Sequence, residues 1–135
     1  MRAIVLFAAL LIGLVAPARA ADDVAAAQKV ISSQVEALGR GDAAAAYSYA
    51  APAIRSVFPQ ADIFLSMVQR TYAPVYRHKS FEFGEARTAD GKIAQRVNIV
   101  DAEGEAWEAL YTLETEPDGS LKIIGCILKK AGQSV

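Results

Sequence analysis

The hydrophobic pattern of this chain changes its period at Pro74, and this change constrains the fold more than any other feature of the sequence. Before Pro74, apolar residues recur every three or four positions, which is typical of amphipathic helices. After Pro74 they alternate with polar residues, which is typical of strands that bury one face. The sequence therefore predicts an α+β fold in which helices come first and a sheet follows.

Three helices are predicted before Pro74. The first ends at the glycine-containing turn 39–41 and carries an apolar stripe at helical spacing: Val24, Ala27, Ile31, Val35 and Leu38. Asp42 is expected to cap a second, alanine-rich helix, which Pro52 ends. The third helix is expected to begin near Pro59, a residue suited to a first helical turn, and to stop at Pro74.

Three turn signals follow, and each joins an acidic residue to a glycine: Asp90-Gly91, Glu103-Gly104 and Asp118-Gly119. This pattern is typical of a three-residue hairpin loop, in which a type I turn closes with a glycine in the left-handed conformation. It predicts four antiparallel strands, connected as a meander, at 77–87, 92–101, 105–116 and 120–130.

Loops of this type also fix the strand register, because each pairs the residue before the loop with the residue after it. Phe83 is then expected opposite Val97, and Leu113 opposite Ile123. The opposite face carries mostly polar pairs, as a solvated surface should. A two-residue loop in place of a three-residue one would exchange the two faces. The predicted core face collects the large apolar side chains Phe81, Phe83, Ile93, Val97, Ile99, Trp107, Ala109, Tyr111, Leu113, Ile123 and Ile127.

Residues 1–20 have the pattern of a secretory signal. A basic start is followed by an apolar run at 3–15 and by the small-x-small cleavage site Ala18-Arg19-Ala20. This predicts export to the periplasm, or secretion, of a single domain at 21–135, without a lipid anchor because Ala21 rather than a cysteine follows the cut. The chain has 14 basic and 15 acidic residues, two of the basic ones within the signal. Nucleic acid is therefore not an expected partner, because it requires a clustered basic face.

Several stretches together resemble a known group of proteins: GRGDAAAAYSYAAP, the AAPAI within it, MVQRTYAPVYR, and the terminal strand with its IGC. They resemble the NTF2-like, or SnoaL-like, α+β cone superfamily, and most closely a family of exported bacterial domains of unknown function. The resemblance implies N-terminal helices packed on a curved four-stranded meander sheet. The superfamily includes isomerase-like enzymes, dehydratases and cyclases as well as non-catalytic modules, and no catalytic residue is carried over from it.

The predicted register places one polar row across the apolar face: Glu85, Gln95, Tyr111 and Gly125. An apolar cavity lined by aromatic residues and crossed by a few polar groups is typical of a small-molecule site. We therefore expect a small apolar or amphipathic ligand, with the cavity walls formed by Phe83, Tyr72, Met67, Trp107 and Tyr111. The candidate contacts are Glu85, Gln95, Tyr111, Trp107 and Tyr72.

An alternative hypothesis is an isomerase-, dehydratase- or cyclase-like enzyme, with Glu85 as general base and Tyr111 as its electrophilic partner. A carboxylate partly removed from water is suited to this role. The same row can equally lie at an open rim, where Arg87 would neutralise Glu85. Catalysis is the less favoured hypothesis. No cofactor is predicted, and no metal site, because His78 is the only histidine of the chain.

The outer sheet face is a candidate homodimer interface, because apolar residues cluster there towards the last two strands. Cys126 is placed on this face as a packing residue. A catalytic Cys126–His78 pair is disfavoured because the two lie on opposite edge strands. The interface candidates are Leu110, Ile124, Cys126 and Leu128, with Val100 beside them.

Overall fold

The computed structural model describes residues 15–132, and side chains from residue 19 onward. Residues 1–14, which contain most of the predicted signal, lie outside the described residues. The helices are α1 (Val15–Gly39), α2 (Ala43–Ser48), α3 (Pro52–Val57), α4 (Ala61–Thr71) and α5 (Ala73–Tyr76). The strands are β1 (His78–Ala89), β2 (Lys92–Asp101), β3 (Ala106–Thr115) and β4 (Leu121–Lys130). None of the helices in this part of the chain is long and apolar enough to cross a membrane.

The four strands form one antiparallel sheet in the order β1-β2-β3-β4, which confirms the predicted α+β meander. The sheet is open rather than closed into a barrel. The helices bury their apolar stripes against one face of it, where Ile31 and Leu38 of α1 join Val97, Ile99 and Leu113 in the core. The predicted core face is thus correct for most of its members.

The two prolines expected to end helices in fact begin new ones. Pro52 lies at the start of α3 and Pro74 at the start of α5, where the missing N–H is not needed by the helix. Asp42 caps α2 as predicted, because its carboxylate Oδ1 accepts a hydrogen bond of 3.1 Å from the N–H of Ala45. The helix expected near Pro59 begins two residues later, at Ala61.

The second and third hairpin loops have the predicted length. In the second, Asp101 N donates to Glu105 O over 2.8 Å and Gly104 N donates to Asp101 O over 3.1 Å. The third repeats this pattern between Glu116 and Ser120. The closing glycines of both loops have φ angles of 86° and 87°, which lie in the left-handed region that favours glycine.

The prediction for the first loop is wrong, because it has two residues rather than three. Asp90 and Gly91 have φ angles of 51° and 73°, as a type I′ turn requires, and Ala89 pairs directly with Lys92. The register would shift by one residue throughout β1, but a bulge between Phe83 and Ala86 restores it. Phe83 therefore faces Val97 as predicted. Gln95 faces Ala86, and the expected pairing of Glu85 with Gln95 is wrong.

A second bulge interrupts β4 and reverses the predicted facing of its second half. Leu113 pairs with Ile123, but Thr112 pairs with Gly125, so Ile124 is the extra residue. Cys126 is then opposite Tyr111, rather than Gly125 as expected.

This bulge moves three side chains to the face opposite the predicted one. Cys126 and Leu128 pair with the inward-facing Tyr111 and Ala109 and pack against the core, so their assignment to the outer face is wrong. Ile127, expected in the core, is 67% exposed on the outer face.

Candidate functional site

A cavity of about 450 Å³ lies between the helices and the inner face of β3 and β4. Fourteen residues line it, and most of them are apolar. They are Gln34, Leu38, Ile54, Phe58, Phe64, Met67, Val68, Thr71, Tyr72, Val75, Tyr111, Ile123, Gly125 and Cys126.

Helix α4 supplies one wall of the cavity through its residue spacing. Phe64, Met67, Val68 and Thr71 recur at intervals of three and four, so they share one side of the helix. The opposite wall is formed by β3 and β4, where the bulge of β4 turns the Cys126 side chain inward. Gly125 also lines the cavity, but it pairs with Thr112 and not with the inward-facing Tyr111, so strand alternation directs an added side chain to the outer face.

The Tyr111 hydroxyl is the most unusual polar group in the cavity. Tyr111 is 2% exposed, and its hydroxyl makes no hydrogen bond with any residue that the structure describes. Burial raises the pKa of this phenol well above its usual value, and Cys126 and Tyr72 raise it further. The Cys126 thiol is near enough to influence that pKa, but sulfur is a weak hydrogen-bonding atom and the pair does not meet hydrogen-bond geometry.

The other polar groups around the cavity are neutral, and two of them, Tyr72 and Gln34, have partners within the chain. The Tyr72 hydroxyl donates to the carbonyl oxygen of Cys126 over 2.9 Å, and partial burial is the main cause of its raised pKa. Burial raises the pKa of the Cys126 thiol to about 12, although the neighbouring Tyr111 phenol acts in the opposite direction. The buried Gln34 uses its amide nitrogen on the carbonyl oxygen of Ala46, 3.1 Å away.

Gln95, a candidate ligand contact, is committed to the fold. It is fully buried, and its amide nitrogen donates to the carbonyl oxygens of Gly84 and Arg96 over 3.0 and 2.8 Å. Its amide oxygen accepts a hydrogen bond of 3.1 Å from Gln28. The bulge in β1 leaves backbone groups of this part of the strand without their usual hydrogen-bond partners in the sheet. The Gln95 side chain supplies hydrogen bonds in their place.

Glu85, the candidate base, lies in the β1 bulge and not in the wall of the cavity. Its side chain is 60% exposed and forms an ion pair with Arg87, with 3.3 Å between carboxylate and guanidinium. This matches the alternative in which the carboxylate lies at an open rim. The predicted row of four polar groups is thus reduced to Tyr111, because Cys126 stands opposite it and Gly125 pairs with Thr112.

Trp107 lines a different hollow, a groove of about 830 Å³ between the α4–α5 corner and the second hairpin loop. Its indole N–H donates to Asp101 Oδ2 over 2.8 Å, while Asp101 Oδ1 accepts from the N–H groups of Glu103 and Glu105 over 3.0 and 2.8 Å. The Trp107 hydrogen bond is the main cause of the lowered pKa of Asp101, and the backbone donors add to it. Thr71 and Tyr72 line both hollows and separate them.

Of the predicted cavity residues, the structure brings together Tyr72, Met67 and Tyr111, and it leaves out Phe83 and Trp107. Ligand contact at these residues stays a prediction. The lining residues that the sequence did not indicate come mainly from the helices. Gln34 carried a signal, because it is a polar residue three positions after Ile31 on the apolar stripe of α1.

The model of one protein family matches residues 20–134, which is nearly the whole chain. Its description is "domain of unknown function", under the name DUF4864. The chain belongs to the DUF4864 family. No curated protein and no solved structure shows a significant match. Membership confirms the predicted resemblance to a domain of unknown function. The NTF2-like assignment stays a prediction.

The cavity of this DUF4864 domain offers neutral hydrogen bonds in an apolar enclosure. Its fourteen lining residues include no Asp, Glu, Lys, Arg or His. Within residues 15–132, no group of three or more His, Cys, Asp or Glu side chains is arranged to hold a metal ion. The arrangement is therefore suited to holding an apolar molecule by shape and by one or two uncharged polar contacts.

Proposed function

We propose that this domain binds a small, largely apolar molecule in the cavity beneath α4. The observation that carries the proposal is the Tyr111 hydroxyl, which is buried and has no partner among the described residues. Leaving a buried hydroxyl unpaired costs about 1–3 kcal/mol, so native proteins rarely retain one without a reason. A ligand atom that accepts its hydrogen bond supplies that reason.

The size and lining of the cavity support the same function. Small-molecule sites commonly have volumes of roughly 300–1,000 Å³ and combine apolar walls with a few polar groups. The cavity described above has about 450 Å³ and has both features. Helices that cover one face of a four-stranded meander also support the NTF2-like cone as the parent architecture, in which such cavities occur.

The test is native mass spectrometry of the protein purified from its own host. We expect a small molecule that remains bound and is released on denaturation. Cys126→Trp places a large side chain in the cavity, because Cys126 faces the inward-pointing Tyr111, and should abolish the extra mass. Ile127→Trp adds the same side chain at the neighbouring position on the exposed outer face and should retain it. A ligand-free mass in every preparation would contradict the proposal.

We also propose that the domain acts after export, in the periplasm or outside the cell. The support is the signal-like pattern of residues 1–20. Cleavage after Ala20 would leave the greater part of α1, including its buried residues Ala27, Ile31 and Leu38. Sequencing the N-terminus of protein recovered from the periplasmic fraction should give Ala21, and a start at Met1 would contradict export.

The catalytic alternative, with Glu85 as base and Tyr111 as partner, has less support. It needs a carboxylate removed from water and directed at the bound substrate. The Glu85 carboxylate is exposed and paired with Arg87, and Glu85 is absent from the cavity wall. If Glu85→Gln slowed turnover of a co-purified molecule while leaving its affinity unchanged, the catalytic hypothesis would gain support.

A second candidate function is homodimerisation through the outer sheet face, and the observation that favours it is the exposed Ile127. Leu110, one of the predicted interface residues, pairs with it on this face, whereas Cys126 and Leu128 face the core and Ile124 is the unpaired residue of the bulge. Ion pairs join Arg96 and Lys129 to Glu108 on the same face, so it carries both signs of charge and is compatible with a second copy of itself.

Sedimentation of two lysine variants tests this candidate. Ile127→Lys should yield a monomer at protein concentrations where the wild type is a dimer. Val57→Lys is the matched control, because Val57 is 69% exposed on α3, one of the helices that cover the inner face, and should leave the dimer intact. A wild-type monomer at high protein concentration would contradict dimerisation.

A further inference from the structure

The charge state of the cavity wall restricts the kind of molecule that can bind there. None of the lining residues carries a formal charge at neutral pH, and Arg70 and Arg77 line the neighbouring groove instead of this cavity. Moving an isolated anion from water into an apolar enclosure is strongly unfavourable unless a counter-charge or several donors receive it. The wall offers neither.

The protein's own groups in the cavity show the same effect. Tyr111 and Cys126 face each other across β3 and β4, and burial raises the pKa of both. The environment therefore keeps a phenol and a thiol in their uncharged forms. A bound carboxylate would experience the same loss of solvation in the same place.

The free hydroxyl also specifies the hydrogen-bonding type of the ligand. A phenol has one O–H donor and oxygen lone pairs, and an unpaired buried donor is less tolerated than an oxygen with an unused lone pair. The group that completes the site is therefore an acceptor, such as a carbonyl, ether or hydroxyl oxygen.

We infer that the ligand of this cavity is an uncharged, largely apolar molecule that presents a hydrogen-bond acceptor to the Tyr111 hydroxyl. This inference rests on the proposed binding function and names its ligand class. It separates the site from one for fatty-acid-like or other anionic amphiphiles, whose charged end has no partner among the residues of the wall.

Three probes of similar shape test the inference: benzophenone, which has a neutral acceptor; diphenylmethane, which has none; and diphenylacetate, which is an anion. Each is titrated into ¹⁵N-labelled wild-type protein and into Tyr111→Phe, with amide shifts of the cavity residues as the readout. Benzophenone should bind the wild type roughly tenfold more tightly than diphenylmethane, and this preference should be lost or reversed in Tyr111→Phe, where the carbonyl oxygen has no donor.

The anionic probe supplies the charge test. At neutral pH diphenylacetate should bind roughly a hundredfold more weakly than benzophenone, and its affinity should rise as the pH falls towards the pKa of its own carboxyl group. Diphenylacetate binding most tightly at neutral pH, or benzophenone and diphenylmethane binding the wild type equally, would overturn the inference while leaving a binding cavity. No response of the cavity residues to any of the three would contradict the proposed function itself.

Discussion

The two hollows on either side of Tyr72 differ in what their polar groups do. In the larger groove the Asp101 carboxylate accepts three hydrogen bonds, one of them from Trp107, so this carboxylate is already satisfied within the chain. In the smaller cavity the Tyr111 hydroxyl has no partner among the described residues. By volume alone the groove would be the better candidate for a ligand site, because it has about 830 Å³ and the cavity about 450 Å³.

The comparison indicates that the satisfied polar groups hold the fold, whereas the unsatisfied group marks the place for a ligand. Gln95 is a further satisfied polar group that holds the fold. It was a candidate contact because of its position on the inner face, but every hydrogen bond of its side chain goes to the protein. The predictions below test the two halves in order of the size of the expected effect.

The largest expected effect is on the reactivity of Cys126, which reports how dry the cavity is. A pKa of about 12 against an ordinary 9.0 lowers the thiolate fraction at pH 8 roughly a thousandfold, so alkylation by iodoacetamide should be slower by a similar factor than in the urea-unfolded chain. Above pH 9 the unfolded chain ionises first, so stability should fall as the pH rises towards 12.

A thiol moved by one residue provides the control for this experiment. In Cys126→Ala combined with Ile127→Cys, the thiol lies on the exposed outer face and should react nearly as fast as in the unfolded chain. Equal alkylation rates for the two native proteins would show that water enters the cavity freely. The difference drawn between the cavity and the groove would then be contradicted.

The second effect concerns Gln95. Gln95→Leu leaves the carbonyl oxygens of Gly84 and Arg96 and the amide of Gln28 without their partner, and should lower the free energy of unfolding by about 3 kcal/mol in urea titrations. Gln28→Leu removes only one of these hydrogen bonds and should lower it by about 1 kcal/mol. If Gln95→Leu were neutral in stability but weakened ligand binding, Gln95 would belong to the site and not to the bulge.

The positions of the bulges at Gly84 and Gly125 show what the sequence could and could not predict. The change of period at Pro74 and the three acidic-glycine turns correctly predicted the strands and their order. The bulges were missed, although each lies at a glycine inside a strand, Gly84 in β1 and Gly125 in β4. An isolated glycine in a strand is itself a signal of a bulge.

The first loop was misjudged for a related reason. Asp90-Gly91 and Asp118-Gly119 look alike, but Pro117 precedes the second pair, lacks an N–H and has a fixed φ, which favours the three-residue loop there. Without a proline, Asp-Gly is a preferred pair for a two-residue type I′ turn. The shorter loop and the β1 bulge offset each other, so the register from Phe83 to Ser80 was still predicted correctly, and a further shift then places His78 opposite Asp101.

The candidate site was predictable only in its sheet half. The inward position of Tyr111 follows from strand alternation, which is local. The contributions of Ile54 and Phe58 to the cavity depend on how α3 and its neighbours dock on the sheet. The spacing of apolar residues along the chain does not predict this docking. The facing of Cys126 was reversed because a single extra residue, Ile124, precedes it in β4.

A third prediction concerns the groove at low pH. The pKa of Asp101 is lowered in the folded chain, so its hydrogen bonds add stability above the unfolded value near pH 3.9, and this contribution is lost as the pH falls through the folded pKa. Asp101→Asn should therefore be less stable than the wild type at neutral pH but lose less stability between pH 5 and pH 2. Parallel acid profiles for the two proteins, measured by urea unfolding, would show that the carboxylate is not held by Trp107.

The central claim is that the Tyr111 hydroxyl is unsatisfied in the ligand-free domain, and a pair of tyrosine variants tests it most directly. Urea unfolding of ligand-free protein should show Tyr111→Phe as stable as the wild type or up to about 1 kcal/mol more stable, because only an unpaired group is removed. Tyr72→Phe, which loses the hydrogen bond to Cys126 O, should be about 1 kcal/mol less stable. A loss of stability in Tyr111→Phe equal to that in Tyr72→Phe would mean that the hydroxyl already has a partner, and would contradict the account.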